Sequence, residues 1–85
     1  MIPLIEAAAE ICETARREKL ALAVVAERSG GAIAWFARNI PSIVGTWRKN
    51  DAGDFEAAQG DGNEQSLYIR RADIDTYLRW ARTVK

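Results

Sequence analysis

The sequence predicts a mostly α-helical domain with one small β-hairpin, and three features predict it. Apolar residues recur at helical spacing through the first half of the chain and again near its end. Between these stretches the pattern switches to period two on either side of Gly60-Asp61-Gly62-Asn63, a loop whose residues tolerate positive φ. Gly, Asn and Pro cluster at the joins, at Ser29-Gly30-Gly31 and Asn39-Ile40-Pro41.

At 85 residues the chain has room for one domain, spanning 1–85, with a single core that is marginally stable unless well packed or oligomeric. Apolar residues at 48% and charged residues at 28% place it with globular proteins and away from disordered ones. The lone Cys12 has no disulfide partner, and Met1-Ile2-Pro3-Leu4-Ile5-Glu6 lacks the basic flank and long apolar run of a signal peptide. A cytoplasmic location is therefore expected. No apolar run approaches the about 18 residues of a membrane span, since Leu20 to Ala26 is closed by Glu27 and Arg28.

The first helix begins at Pro3, a residue suited to the first helical position, and its expected buried stripe is Ile5, Ala8, Ala9, Cys12 and Ala15. Glu6, Glu10, Glu13 and Arg17 lie opposite. Cys12 on that stripe reads as a small buried hydrophobe without chemistry, as the chain has no His to accompany it. Leu20 to Ala26 is apolar on every side, which marks a helix buried all round or shared with a partner chain; it is read as a possible continuation of the first helix. Ser29-Gly30-Gly31 stops it.

Ala32 to Arg38 is expected as a short helix, followed by a three-residue turn in which Asn39 takes the left-handed conformation and Pro41 ends helical continuation. Ser42 then caps a new helix reaching Lys49, with Ile43, Val44 and Trp47 inward at i, i+1, i+4. Ser42, Gly45, Thr46, Arg48 and Lys49 are left outside. Gly45 in mid-helix costs roughly 1 kcal/mol relative to Ala and suggests close approach of DNA or a neighbouring helix. Helix is thus expected over 3–49.

Phe55 to Gln59 and Ser66 to Arg70 are expected to pair as antiparallel strands of a hairpin over 55–70, with Leu67 and Ile69 on one face and Tyr68 and Arg70 on the other. A last helix over 72–82 has Asp73 and Asp75 in its first turn and Arg79 and Arg82 in its last, complementing the helix dipole. Ile74, Tyr77, Leu78 and Ala81 form its buried face, and Asp75 with Arg79 is spaced for an i, i+4 pair.

Net charge is zero, which by itself argues against nucleic acid. Its distribution is uneven: Arg28, Arg38, Arg48 and Lys49 follow one another with no acid between, whereas Asp51 to Glu64 holds five acids and no base. The tryptophans, Phe36, Phe55, Tyr68 and Tyr77 read as core residues ahead of a surface for stacking single-stranded bases. The chain has no His, no cysteine pair and no phosphate loop, and Asp51-x-x-Asp54 and Asp61-x-Asn63 lack the spacing of a calcium loop. No enzyme, cofactor, metal or small-molecule substrate is expected.

From about residue 42 to 82 the order of apolar residues, Trp47, basic residues, Phe55, a Gly-rich loop and Leu67-Tyr68-Ile69-Arg70-Arg71-Ala72-Asp73-Ile74-Asp75 resembles the winged helix-turn-helix of phage excisionases, MerR-like regulators and lambdoid terminase small subunits. The resemblance implies a recognition helix at Ser42 to Lys49 with Trp47 as its core anchor. It also implies Phe55 as a core residue of the wing, Gly60 to Asn63 as the wing tip, and Arg70 and Arg71 on phosphates. The chain departs from that pattern in its extra apolar segment and in Glu56, Asp61 and Glu64, acids that would repel phosphate from the wing.

The expected function is sequence-specific binding of double-stranded DNA by a phage or mobile-element regulator of transcription or recombination. The residues expected to carry it are Arg38, Ser42, Thr46, Arg48, Lys49, Asn63, Arg70 and Arg71, as hydroxyl, amide and basic side chains reach base edges and phosphates. A homodimer or cooperative array through Leu20, Leu22, Val24 and Val25 would supply affinity that one small neutral copy lacks. The alternative is a protein-binding module of the same descent that inhibits another protein, such as an antiactivator.

Overall fold

The computed structural model describes residues 1–59 and 66–85. In chain order these form β1 (Ile2–Pro3), α1 (Leu4–Arg17), α2 (Ala21–Arg28), α3 (Ala32–Asn39), a 3-10 turn (Ile40–Ser42), β2 (Thr46–Lys49), β3 (Phe55–Ala58), β4 (Leu67–Ile69) and α4 (Arg71–Ala81). The expected wing tip, Gly60 to Asn63, lies outside the described residues.

The buried stripe of α1 is Leu4, Ala7, Ala8, Ile11, Cys12 and Ala15. The expectation shares Ala8, Cys12 and Ala15 but is rotated by part of a turn, because a stripe through Leu4 and Ile11 buries two large side chains where one through Ile5 buries a single one. Ile5 is on the surface. α2 does not continue α1. The chain breaks at Lys19, a non-glycine residue at φ 57, where Lys19 N–H donates to Arg16 O and Leu20 N–H donates to Ala15 O at 2.9 Å. These two bonds form a Schellman cap, normally built on Gly, which a side chain at that position conceals from sequence reading.

α2 buries Leu22, Ala23 and Ala26, and turns Val24 and Val25 outward. It ends as expected at Gly30, whose φ of +86 is open to glycine without strain. Ser29 closes the same end, its Oγ donating to Ala26 O at 2.6 Å. α3 follows and buries Phe36 and Ala37, with Phe36 edge-on to both Trp35 and Tyr77. Full burial of a Phe, Leu or Ile side chain stabilises by about 1.5–3 kcal/mol. The fully buried Leu4, Ile11, Phe36, Ile40, Leu67, Ile69 and Tyr77 draw every helix but α2 and the sheet onto one centre, and Leu22, Ala23 and Ala26 attach α2 to it.

The segment expected as a recognition helix is not one. Asn39 has ordinary helical angles, Ile40–Ser42 is a 3-10 turn, and Ser42 Oγ donates back to Asn39 O at 2.6 Å instead of capping a new helix. Thr46–Lys49 is then a strand. The i, i+1, i+4 spacing of Ile43, Val44 and Trp47 imitates a helix, but β-branched Ile43, Val44 and Thr46 with Gly45 all disfavour one. β2 gains ladders on both edges, with β3 and with β4, which no local pattern reveals.

The sheet is antiparallel throughout, in the order β1-β4-β2-β3. The expected direct pairing of Phe55–Gln59 with Ser66–Arg70 is therefore wrong: β2 lies between β3 and β4. The hairpin is β2–β3, turned by Asn50 to Asp54, in which Asn50 Oδ1 accepts from Ala52 N–H and Asp54 N–H, and Gly53 takes φ +85.

α4 has the expected buried face of Ile74, Tyr77, Leu78 and Ala81. Asp73 is also buried and accepts from the Arg70 backbone N–H at 3.1 Å, one half of a capping box. Two ion pairs tie α4 to the α1 end of the molecule, Arg71 to Glu10 at 2.7 Å and Arg82 to Glu18 at 2.8 Å. The expected Asp75–Arg79 pair does not form among the described residues. No helix among them is long and apolar enough to cross a membrane.

Candidate functional site

The turn Ser29-Gly30-Gly31 joins two eight-residue helices, α2 and α3, and the core grips them from one side through Leu22, Ala26 and Phe36. The opposite side of α3 is left to the surface with Ile33, Ala34 and Arg38. Arg38 makes no hydrogen bond or ion pair with any described residue. A guanidinium in that condition keeps all five donors available.

Beyond Arg38 the surface is concave. A cleft of about 470 Å³ runs between the end of α3 and the β2–β3 hairpin, lined by Arg38, Ser42, Gly45, Thr46 and Gln59 among others. A shallower hollow of about 170 Å³ adjoins it, sharing Arg38 and Ser42 and adding Trp35 and Asn39. The structure thus brings Arg38, Ser42 and Thr46 together, although no helix joins them. Gly45 has open space where a Cβ would stand, so no neighbouring helix approaches it closely among the described residues.

Of these three, Thr46 is engaged within the fold, and the remaining expected contacts fall elsewhere. Thr46 is 4% exposed, and its hydroxyl donates to Ala58 O across the hairpin, so its side chain is spent on the fold. Arg48 stands opposite Glu56 in the β2–β3 register and Lys49 opposite Phe55. Asn63 lies outside the described residues. Arg70 holds Asp73 with both Nε and a terminal nitrogen, at 3.0 and 3.1 Å, and Arg71 holds both oxygens of Glu10. Neither guanidinium reaches a phosphate without giving up an intramolecular partner, although exposed pairs of this kind are worth only about 0–1 kcal/mol.

Of the expected dimer residues, Leu22 belongs to the core and Leu20 packs against it, while Val24 and Val25 are about half exposed. The acids concentrate in the hairpin turn, Asp51 and Asp54, with Glu56 following on β3.

Phe55, expected in the core, is instead exposed on the outer face of the sheet, and Trp47 is half-buried on the same face, its Nε1 buried without a hydrogen-bond partner among the described residues. Register places Trp47 opposite both Tyr68 and Ala57, and Lys49 opposite Phe55, so Trp47, Lys49, Phe55 and Tyr68 share the face turned away from Leu67 and Ile69. Phe55 meets Tyr68 edge-on at 5.1 Å, and the Arg70 guanidinium lies 5.4 Å from the Trp47 ring centroid. The register was the missing signal: once the segment is a strand, alternation sends Trp47 and Lys49 to one side and Thr46 to the other.

Comparison of the chain with protein-family models, with curated proteins and with solved structures finds no match in any of the three.

Proposed function

We propose that the chain is a winged helix-turn-helix protein that binds double-stranded DNA, with α3 presented to the major groove and the β2–β3 hairpin beside it as the wing. The observation that carries this reading is the α2–Ser29-Gly30-Gly31–α3 unit: two short helices, a three-residue turn with Gly30 at positive φ, and an outward α3 face ending in an unengaged Arg38. Ile33 and Ala34 suit apolar contact with thymine methyls, and Arg38 suits a phosphate or a guanine edge. The role is that of a small regulator of transcription or recombination, and its neutral charge makes binding by more than one copy the route to useful affinity.

The test is fluorescence anisotropy with labelled duplexes of about two helical turns at stepped salt. The expected result is an affinity that falls steeply with salt, as counterion release requires. Absence of binding at low salt, or binding indifferent to salt, defeats the proposal.

One observation favours a second reading, a protein-binding module. Val24, Val25 and Ile33 are large apolar side chains exposed on the same helix pair, and the hairpin turn carries the acids Asp51 and Asp54. An apolar interface with a protein changes little with salt, so the titration separates the readings.

A further inference from the structure

We propose that the outer face of the sheet is a second nucleic-acid surface, which stacks unpaired bases of a single strand on Phe55, Tyr68 and Trp47. It goes beyond the duplex reading and uses neither α3 nor its cleft.

Three strands contribute one aromatic each, Trp47 from β2, Phe55 from β3 and Tyr68 from β4, and the register puts all three on the side away from the core. Such residues in a small sheet are ordinarily covered, yet Phe55 keeps 38% of its surface exposed and Lys49 beside it is also exposed. Phe55 and Tyr68 brace each other edge to face, with Phe55 exposed and Tyr68 half-buried. A flat π surface accepts any base, and the chemistry that distinguishes a nucleic acid from a greasy peptide is the adjoining positive charge. Here Lys49 stands among the rings and Arg70 lies over Trp47.

The charge also sets the extent of the surface. Asp51 and Asp54 occupy the turn immediately beyond Lys49, so a phosphate backbone is favoured near Lys49 and opposed past the turn. The platform therefore takes two or so bases and not a long track. Bases inside a duplex present no free faces, so this surface discriminates by strandedness, where α3 discriminates by groove.

The experiment is anisotropy with a fluorescein-labelled oligothymidine of about a dozen nucleotides, a length within the usual site size of single-strand binders. Wild type is compared with Phe55→Leu, Phe55→Trp and Lys49→Gln, each checked for folding by circular dichroism. The expected result is salt-sensitive binding that Phe55→Leu weakens about fivefold or more and Phe55→Trp retains. Lys49→Gln should flatten the salt slope by about 0.7. Arg38→Ala should weaken duplex binding and bind oligothymidine like wild type, so failure here and failure of the α3 reading are distinguishable. Oligothymidine that does not bind, or that binds Phe55→Leu and wild type equally, overturns the proposal.

Discussion

The phenol of Tyr77, wholly buried in α4, donates a 2.6 Å hydrogen bond to Asn39 Oδ1 at the end of α3. This bond ties α4 to the last residue of α3, beside the shallower hollow, and joins residues far apart in sequence. Burial raises the Tyr77 pKa above its ordinary value. A raised folded-state pKa means stability that is present below the unfolded pKa, near 10, and lost as pH rises beyond it. Tyr77→Phe should cost about 1 kcal/mol at neutral pH, read from urea denaturation, and should remove part of the alkaline loss. A double-mutant cycle with Asn39→Ala that proves additive would show the bond to be energetically idle.

Acid should weaken the fold through two carboxylates. Burial alone would raise the Asp73 pKa, but hydrogen bonds from the Arg70 side chain and backbone, together with its charge, outweigh burial and hold it below the usual range. Glu18 is lowered chiefly by its hydrogen bonds from Arg82. Depressed folded-state values give stability that is present above the unfolded pKa, near 4, and lost as pH falls through the folded one. Asp73→Asn should therefore flatten the decline in melting temperature below about pH 4, while costing about 1 kcal/mol at pH 7 through the weakened cap. An unchanged acid profile in Asp73→Asn would assign the decline to other groups.

The two left-handed helix ends predict opposite responses to glycine chemistry. Lys19 is held at φ 57 with a side chain that disfavours it, so Lys19→Gly should stabilise by roughly 0.5 kcal/mol after the entropy of the unfolded chain is counted. Gly30 at φ +86 has free space around it, so Gly30→Ala costs backbone strain alone, about 1 kcal/mol. Chemical denaturation of both variants gives the signs directly. Destabilisation by Lys19→Gly would mean that the lysine side chain contributes more than the strain it introduces.

These positions also mark what was legible in the chain. Gly30 announced its helix end because its side chain is the signal, and α4 was readable because apolar period and terminal charges agree. Lys19 was opaque, as its conformation is imposed by two backbone bonds and not by residue type. Thr46–Lys49 was misread because its partners lie up to 21 residues away, at Leu67 and Tyr68 as well as Phe55 to Ala58, and pairing at that range leaves no local period. Arg38 lies at the end of α3 on the exposed side, where the helical period of the sequence also places it.

Arg38 and Arg71 now separate the DNA reading into testable halves. Arg38 is free of partners among the described residues, whereas Arg71 is bound to Glu10 through two short contacts, on the far side of a broken ion pair from any phosphate. If α3 faces the duplex, Arg38→Ala removes a contact that already stands ready. It should weaken duplex binding at low salt by roughly fivefold and reduce the salt slope by about 0.9, the release of one counterion. Arg71→Ala should change neither, as its guanidinium is spent on the fold. Salt titrations of the two variants against the same duplex decide the matter: a loss confined to Arg71→Ala would move the DNA to the α1–α4 side of the molecule and remove α3 from the groove.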